Sequence, residues 1–112
     1  MITIWHNPRC SKSRQTLAIV EEKGDVTVRR YLEDAPSAEE IAEVQKLLGL
    51  KAVDMLRNKE KRIAELGLSK SDDDATLRAA MAENPILIER PIVLKDGKAA
   101  IGRPPEAVLE IL

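Results

Sequence analysis

The chain has 112 residues, 44% of them hydrophobic, enough for one domain to bury its own core without metal or disulfide staples. Charged residues make up 33%, yet the formal net charge is only −1, so there is no overall basic field of the kind nucleic-acid binders carry, and no nucleic-acid partner is expected. The sequence shows no signal peptide, no apolar run of transmembrane length and no lipidation motif, which predicts a cytoplasmic protein with no membrane partner.

Alternating strand and helix signals stand at both ends, with a helical stretch between them. Ile2 to Trp5 is a short apolar run predicted as the first strand. Ser11 to Lys23 follows with helical periodicity, Leu17 and Val20 on its apolar face, and Gly24 as its stop. Val26 to Tyr31 alternates like a second strand, so these elements predict a βαβ unit with a parallel, right-handed crossover. Ser37 precedes Glu40 by three residues, the signature of a capping box. It opens a helix with Ile41, Val44, Leu47 and Leu48 inward and Gly49 at its end.

From Val53 to Asn84 the period stays helical in short pieces, broken at Gly67 and across Ser69 to Asp74. Asn84 lies before Pro85 and closes the last piece, because the residue before proline avoids the α region. Residues 92–94 and 99–101 read as two strands around Asp96-Gly97, a hairpin turn signal. A final helix starts at Pro104 or Pro105 and runs to Leu112. The plan is α/β: a single domain over 1–112 with a helical insert at 37–84.

Cys10 is the only cysteine, and it stands where the first strand gives way to the first helix. A thiol at a helix start meets unpaired backbone N–H groups and the positive end of the helix dipole, and both favour the thiolate. His6, Arg9, Lys12 and Arg14 add nearby positive charge. The same N–H groups suit an oxyanion, so one site is able to hold an anion and attack it. A lone cysteine is more often a small buried hydrophobe. Here the four residues before it are polar, proline or charged, which argues for reactivity. No second cysteine is present to resolve an oxidised Cys10, so an external thiol must complete any redox cycle.

Arg90 and Arg103 each directly precede a proline at an edge of the predicted hairpin. Proline holds its predecessor extended, which fixes where each guanidinium leaves the backbone, and a fixed guanidinium suits a bidentate grip on a tetrahedral oxyanion. Arg57, beside Met55 and Leu56, has no such local distinction.

Four blocks, His6 to Arg14, Met55-Leu56-Arg57, Asn84 to Val93 and Gly102 to Glu106, taken in this order resemble the glutaredoxin-linked arsenate reductases, the ArsC family. The resemblance spans essentially the whole chain. It implies a thioredoxin-like fold with a helical insert and places Arg90-Pro91 where that fold has a cis-proline facing the active cysteine. It further implies that Cys10 is the nucleophile and that Arg57, Arg90 and Arg103 bind arsenate and its reduced product. On the same basis His6 helps lower the thiol pKa, and the Ser13 hydroxyl hydrogen-bonds the thiolate.

The implied activity is an oxidoreductase of arsenic detoxification. It reduces arsenate to arsenite through a covalent adduct on Cys10, with glutathione and glutaredoxin as reductants and partners. No metal or other bound cofactor is expected, and a monomer is expected. Two other readings share the fold: a glutathione-dependent thiol/disulfide reductase acting on another substrate, and an Spx-like regulator that binds RNA polymerase. The Spx type commonly uses Cys-x-x-Cys, whereas the second position here is Ser13.

Overall fold

The computed structural model describes residues 1–57 and 60–112. These divide into two compact units, Met1–Asp34 with Arg90–Leu112, and Ala35–Glu89.

The first unit is built on a four-stranded sheet. Strand β1 (Ile2–Trp5) leads through a short loop into helix α1 (Ser11–Glu21), and β2 (Val26–Arg29) returns parallel to β1, with Ile2 opposite Val26 and Trp5 opposite Arg29. This is the predicted βαβ unit. The C-terminal hairpin of β3 (Ile92–Lys95) and β4 (Lys98–Ile101) adds antiparallel strands on the other side of β1, giving the order β2-β1-β3-β4. Its turn places Asp96 at φ 49° and Gly97 at φ 76°. Both left-handed residues suit the tight turn whose twist matches the strands. Ile2, Ile4, Val20, Val93 and Val108 form the buried core, flanked by Leu17, Ile19, Val26, Ala100 and Ile111.

Two boundaries and one helix type differ from expectation. Helix α1 stops at Glu21, and Gly24, at φ 150°, makes the turn that leads to β2. Strand β2 ends at Arg29 because the Arg30 carbonyl accepts the N–H groups of Glu33 at 3.0 Å and Asp34 at 2.9 Å, turning the chain and leaving Tyr31 buried outside the sheet. The closing element, Pro105–Ile111, is a 3₁₀-helix, with the Ala107 N–H bonding back three residues to the Pro104 carbonyl at 2.9 Å.

The second unit is helical: α2 (Ala38–Leu48), a 3₁₀ turn at Ala52–Met55, α3 (Arg62–Glu65), α4 (Asp74–Glu83) and a 3₁₀ turn at Pro85–Leu87. The capping box forms: Ser37 Oγ accepts the Glu40 N–H at 3.1 Å while Glu40 Oε1 accepts the Ser37 N–H at 3.0 Å. Gly49, at φ 68°, ends α2 in the left-handed region. Ile41 and Val44 are buried, but Leu47 is exposed, against the expectation that it faces inward. Six residues on from Ile41, it stands about a third of a turn from that residue, at the solvent edge of the apolar stripe.

Asp74 ties this unit together. Its carboxylate accepts Gln45 Nε2 from α2 at 2.9 Å and the Ala52 N–H at 3.3 Å, while Arg78 donates to Gln45 Oε1 at 2.8 Å. Leu77 and Met81 of α4, Met55, Leu87 and Ile88 are fully buried.

The βαβ unit, antiparallel hairpin and closing helix make an α/β, thioredoxin-like fold, with helical chain inserted between β2 and β3. No helix among the described residues is long and apolar enough to cross a membrane.

Removing the capping hydroxyl tests how α2 is held. Ser37→Ala is expected to cost about 1 kcal/mol of unfolding free energy, read as a lower urea midpoint at unchanged slope.

Candidate functional site

At the end of β1 the chain leaves the sheet through His6, whose N–H donates to the Arg29 carbonyl of β2 at 2.8 Å. The loop that follows is closed on itself. Asn7 Oδ1 accepts the Arg9 N–H at 3.0 Å, the Asn7 carbonyl accepts the Cys10 N–H at 3.0 Å, and Arg14 of α1 donates to the Pro8 carbonyl at 2.8 Å. Cys10 is thereby set at the N-cap of α1 with extended backbone, φ −100° and ψ 122°.

The sulfur is half-buried. Burial alone pushes the thiol up. It is overcome by the N–H of Ser13, the Arg90 guanidinium, the N–H of Lys12 and the Arg103 guanidinium, so the pKa lies below its ordinary value. The thiol closes no side-chain cap hydrogen bond, so the two N–H groups act on it as oriented dipoles at the positive end of the helix.

Arg103 reaches the sulfur directly, with Nη2 3.6 Å from Sγ, and its Nε donates to the Arg90 carbonyl at 2.8 Å. The hairpin therefore delivers both arginines to the thiol. The bonds Arg90-Pro91 and Arg103-Pro104 are both cis. Between them Gly102 donates its N–H to the Pro91 carbonyl at 2.9 Å and lies hard against α1. A Cβ there would stand 2.5 Å from Thr16 Oγ1 and 2.8 Å from Pro91 Cγ, so this strand end approaches the helix as closely as it does because it carries no side chain.

Ser13 and His6 are placed otherwise than expected. The buried Ser13 hydroxyl accepts the Asn7 N–H at 3.0 Å and lies 2.6 Å from His6 Nδ1, so it bonds the loop and the imidazole and not the sulfur. It is the backbone N–H of Ser13 that faces the thiol. His6, 5% exposed, has its pKa lowered, first by burial and then by the Arg30 and Arg14 cations, against a smaller opposite pull from Glu21. An imidazole kept neutral in this way does not lower the thiol pKa by its charge. Its contribution is to hold Ser13, and through Ser13 the first turn of α1.

Asn7 is a site residue that sequence reasoning passed over. Its Asn-Pro dipeptide is a turn-initiating signal, and the side chain bonding two residues on is the turn that signal announces.

Arg57 belongs to the second unit. Its N–H donates to the Leu87 carbonyl at 2.8 Å, and Nη1 lies 3.5 Å from the Ile86 carbonyl and 3.7 Å from Glu60 Oε2. Among the described residues no group of three or more His, Cys, Asp or Glu side chains is placed to hold a metal ion.

Residues 5–111 match the model of the ArsC family. The chain belongs to the ArsC family. An arsenate reductase of Neisseria meningitidis serogroup B is 48% identical to this ArsC protein, covering 99% of this chain and 97% of its own. The uncharacterized Escherichia coli protein YfgD is 46% identical over 99% of this chain and 96% of its own. Among solved structures, an arsenate reductase from Vibrio cholerae superposes with a TM-score of 0.94 at 52% identity, covering 99% of this chain and 97% of that one.

Two titrations check the electrostatics. The pH profile of Cys10 alkylation is expected to have its midpoint below that of an unperturbed thiol, about 8.5, and to move up in Arg103→Ala, where one of the cations is lost. His6 is the only histidine in the chain. Because its folded pKa is lowered, the unfolded chain takes up the proton first. The stability contributed by neutral His6 is therefore complete above about pH 6.5 and is lost as pH falls through that value toward the folded pKa. Urea midpoints between pH 8 and pH 5.5 are expected to fall more in wild type than in His6→Gln.

Proposed function

We propose that this ArsC protein is an arsenate reductase, an oxidoreductase that passes two electrons from small thiols to arsenic(V). The observation that carries the reading is the Arg103 guanidinium 3.6 Å from a thiol whose pKa is lowered at a helix start. A thiolate is the nucleophile this reaction needs, and a fixed cation beside it suits a bound oxyanion. Names of relatives at 46–48% identity support the same substrate.

The Cys10 thiolate attacks arsenic, an As–S bond forms, and one oxygen leaves as water after taking up protons. Arg90 and Arg103 hold the oxyanion while its charge redistributes. Arg57 joins them on the resemblance of its motif. Glutathione then displaces a second oxygen, again as water, and its sulfur bonds to arsenic. Glutaredoxin attacks that glutathione sulfur. A glutathione–glutaredoxin disulfide forms, the electron pair of the broken As–S bond stays on arsenic, and arsenic(V) becomes arsenic(III) on Cys10. Water releases arsenite and restores the thiol. The cycle uses no resident metal or cofactor, and we place it in the cytoplasm, with the protein acting as a monomer.

NADPH oxidation coupled through glutathione reductase, glutathione and glutaredoxin tests this directly. Wild type is expected to turn over with arsenate, Cys10→Ser to show none, and Arg103→Ala and Arg57→Ala to lose about 100-fold or more, the cost of removing a charge-stabilising donor. Absent wild-type turnover, with Cys10 still forming mixed disulfides readily, would assign the protein to another thiol exchange.

A further inference from the structure

A cleft of about 240 Å³ opens where the parallel strands β1 and β2 end. Its floor is formed by His6 and Asn7, and its rim by Arg9, Arg30, Leu32 and Glu33. All of these belong to the first unit. The carboxyl ends of parallel strands are where open α/β sheets take their ligands. Arg9 is the residue immediately before Cys10, so whatever occupies the cleft lies on the loop that carries the nucleophile.

The rim has a definite charge pattern. Arg9, Arg30 and Glu33 are all exposed. Among the described residues neither guanidinium nor the Glu33 carboxylate has an ion-pair partner within the protein. The turn after β2, closed by the Glu33 N–H on the Arg30 carbonyl at 3.0 Å, keeps Arg30 and Glu33 together at one lip. Two cations and one anion complement a ligand with two carboxylates and one ammonium. A bare inorganic oxyanion would meet the Glu33 carboxylate and gain nothing from it.

We infer that this cleft docks the reducing thiol, a peptide-sized dicarboxylate bearing one ammonium, for which glutathione is the probe. The inference deepens the proposed function and rests on its assignment of glutathione as reductant. Arg9 and Arg30 grip the two carboxylates and Glu33 the ammonium, through charge-assisted hydrogen bonds that orient the ligand beside Cys10. Docking so close to the nucleophile raises the effective concentration of the ligand's sulfur at the reacting centre.

Thiol–disulfide exchange tests the docking without arsenate. The Cys10 thiolate attacks one sulfur of oxidised glutathione, a Cys10–glutathione disulfide forms as the old S–S bond breaks, and one glutathione leaves as thiolate. Rates of this mass gain are measured for the full chain as wild type, Arg30→Ser and Glu33→Gln, beside the uncharged hydroxyethyl disulfide. The glutathione rate is expected to fall about tenfold in Arg30→Ser and severalfold in Glu33→Gln, with the hydroxyethyl disulfide rate unchanged in both.

An equal fall for both disulfides would show that these residues act on the thiol itself, and no fall for either would show that the cleft is not used; each result overturns the inference. In the arsenate assay the same variants are expected to raise the glutathione KM and leave the arsenate KM as it is. Selective loss with oxidised glutathione in a protein that does not reduce arsenate would sink the proposed function and leave the docking site standing. Arsenate turnover with an unchanged glutathione KM in the variants would do the reverse.

Discussion

The Ser13 hydroxyl is the small buried bond on which the reactive end of the sheet depends. It accepts the Asn7 N–H at 3.0 Å and meets His6 Nδ1 at 2.6 Å, so one oxygen joins the residues just after β1 to the first turn of α1. All three groups are buried away from water, and a buried polar group left without its partner costs about 1–3 kcal/mol. The loop between the two elements is thereby tied at both ends, and the thiol inherits its position from it. His6 contributes as a neutral hydrogen-bonding ring, because burial and two nearby arginines oppose its protonation.

Around the thiol, opposing effects are balanced by addition. Burial works against the thiolate, while two backbone N–H groups and two guanidiniums work for it. The four come from opposite ends of the chain: the dipoles from α1, the cations from the hairpin. The Arg103 Nε bond to the Arg90 carbonyl couples the two cations, so the hairpin presents them as a unit. The ordinary geometry of a thioredoxin-like sheet, with the N-terminal βαβ unit beside the C-terminal hairpin, is what lets residues some 90 positions apart meet at one sulfur.

Much of this is legible in the sequence. Local signals placed β1, the parallel β2, the capping box at Ser37, the Asp96-Gly97 turn and the stop at Asn84, because each depends on a few adjacent residues. Cys10 at a helix start was legible for the same reason. What escaped was set by partners distant in sequence or by bond geometry. Leu47 reads as apolar but stands at the solvent edge of the buried stripe, and β2 is cut short by a turn at the Arg30 carbonyl. The Ser13 hydroxyl turns to His6 because the imidazole and the Asn7 N–H need it, a demand visible only once the loop is folded. Arg57 carries no local mark, and only its motif's resemblance to a family singles it out.

Helix α1 begins without the side-chain bond that most helices use to satisfy their first N–H groups. A serine or aspartate at position 10 would supply that bond and make the helix more secure; cysteine leaves those groups unspent. Selection for durability alone would thus replace the one atom on which the proposed chemistry rests. The thiol persists at the expense of the helix it heads, and a more robust version of this protein, obtained by improving that cap, would lack the thiol that the proposed arsenate reduction needs.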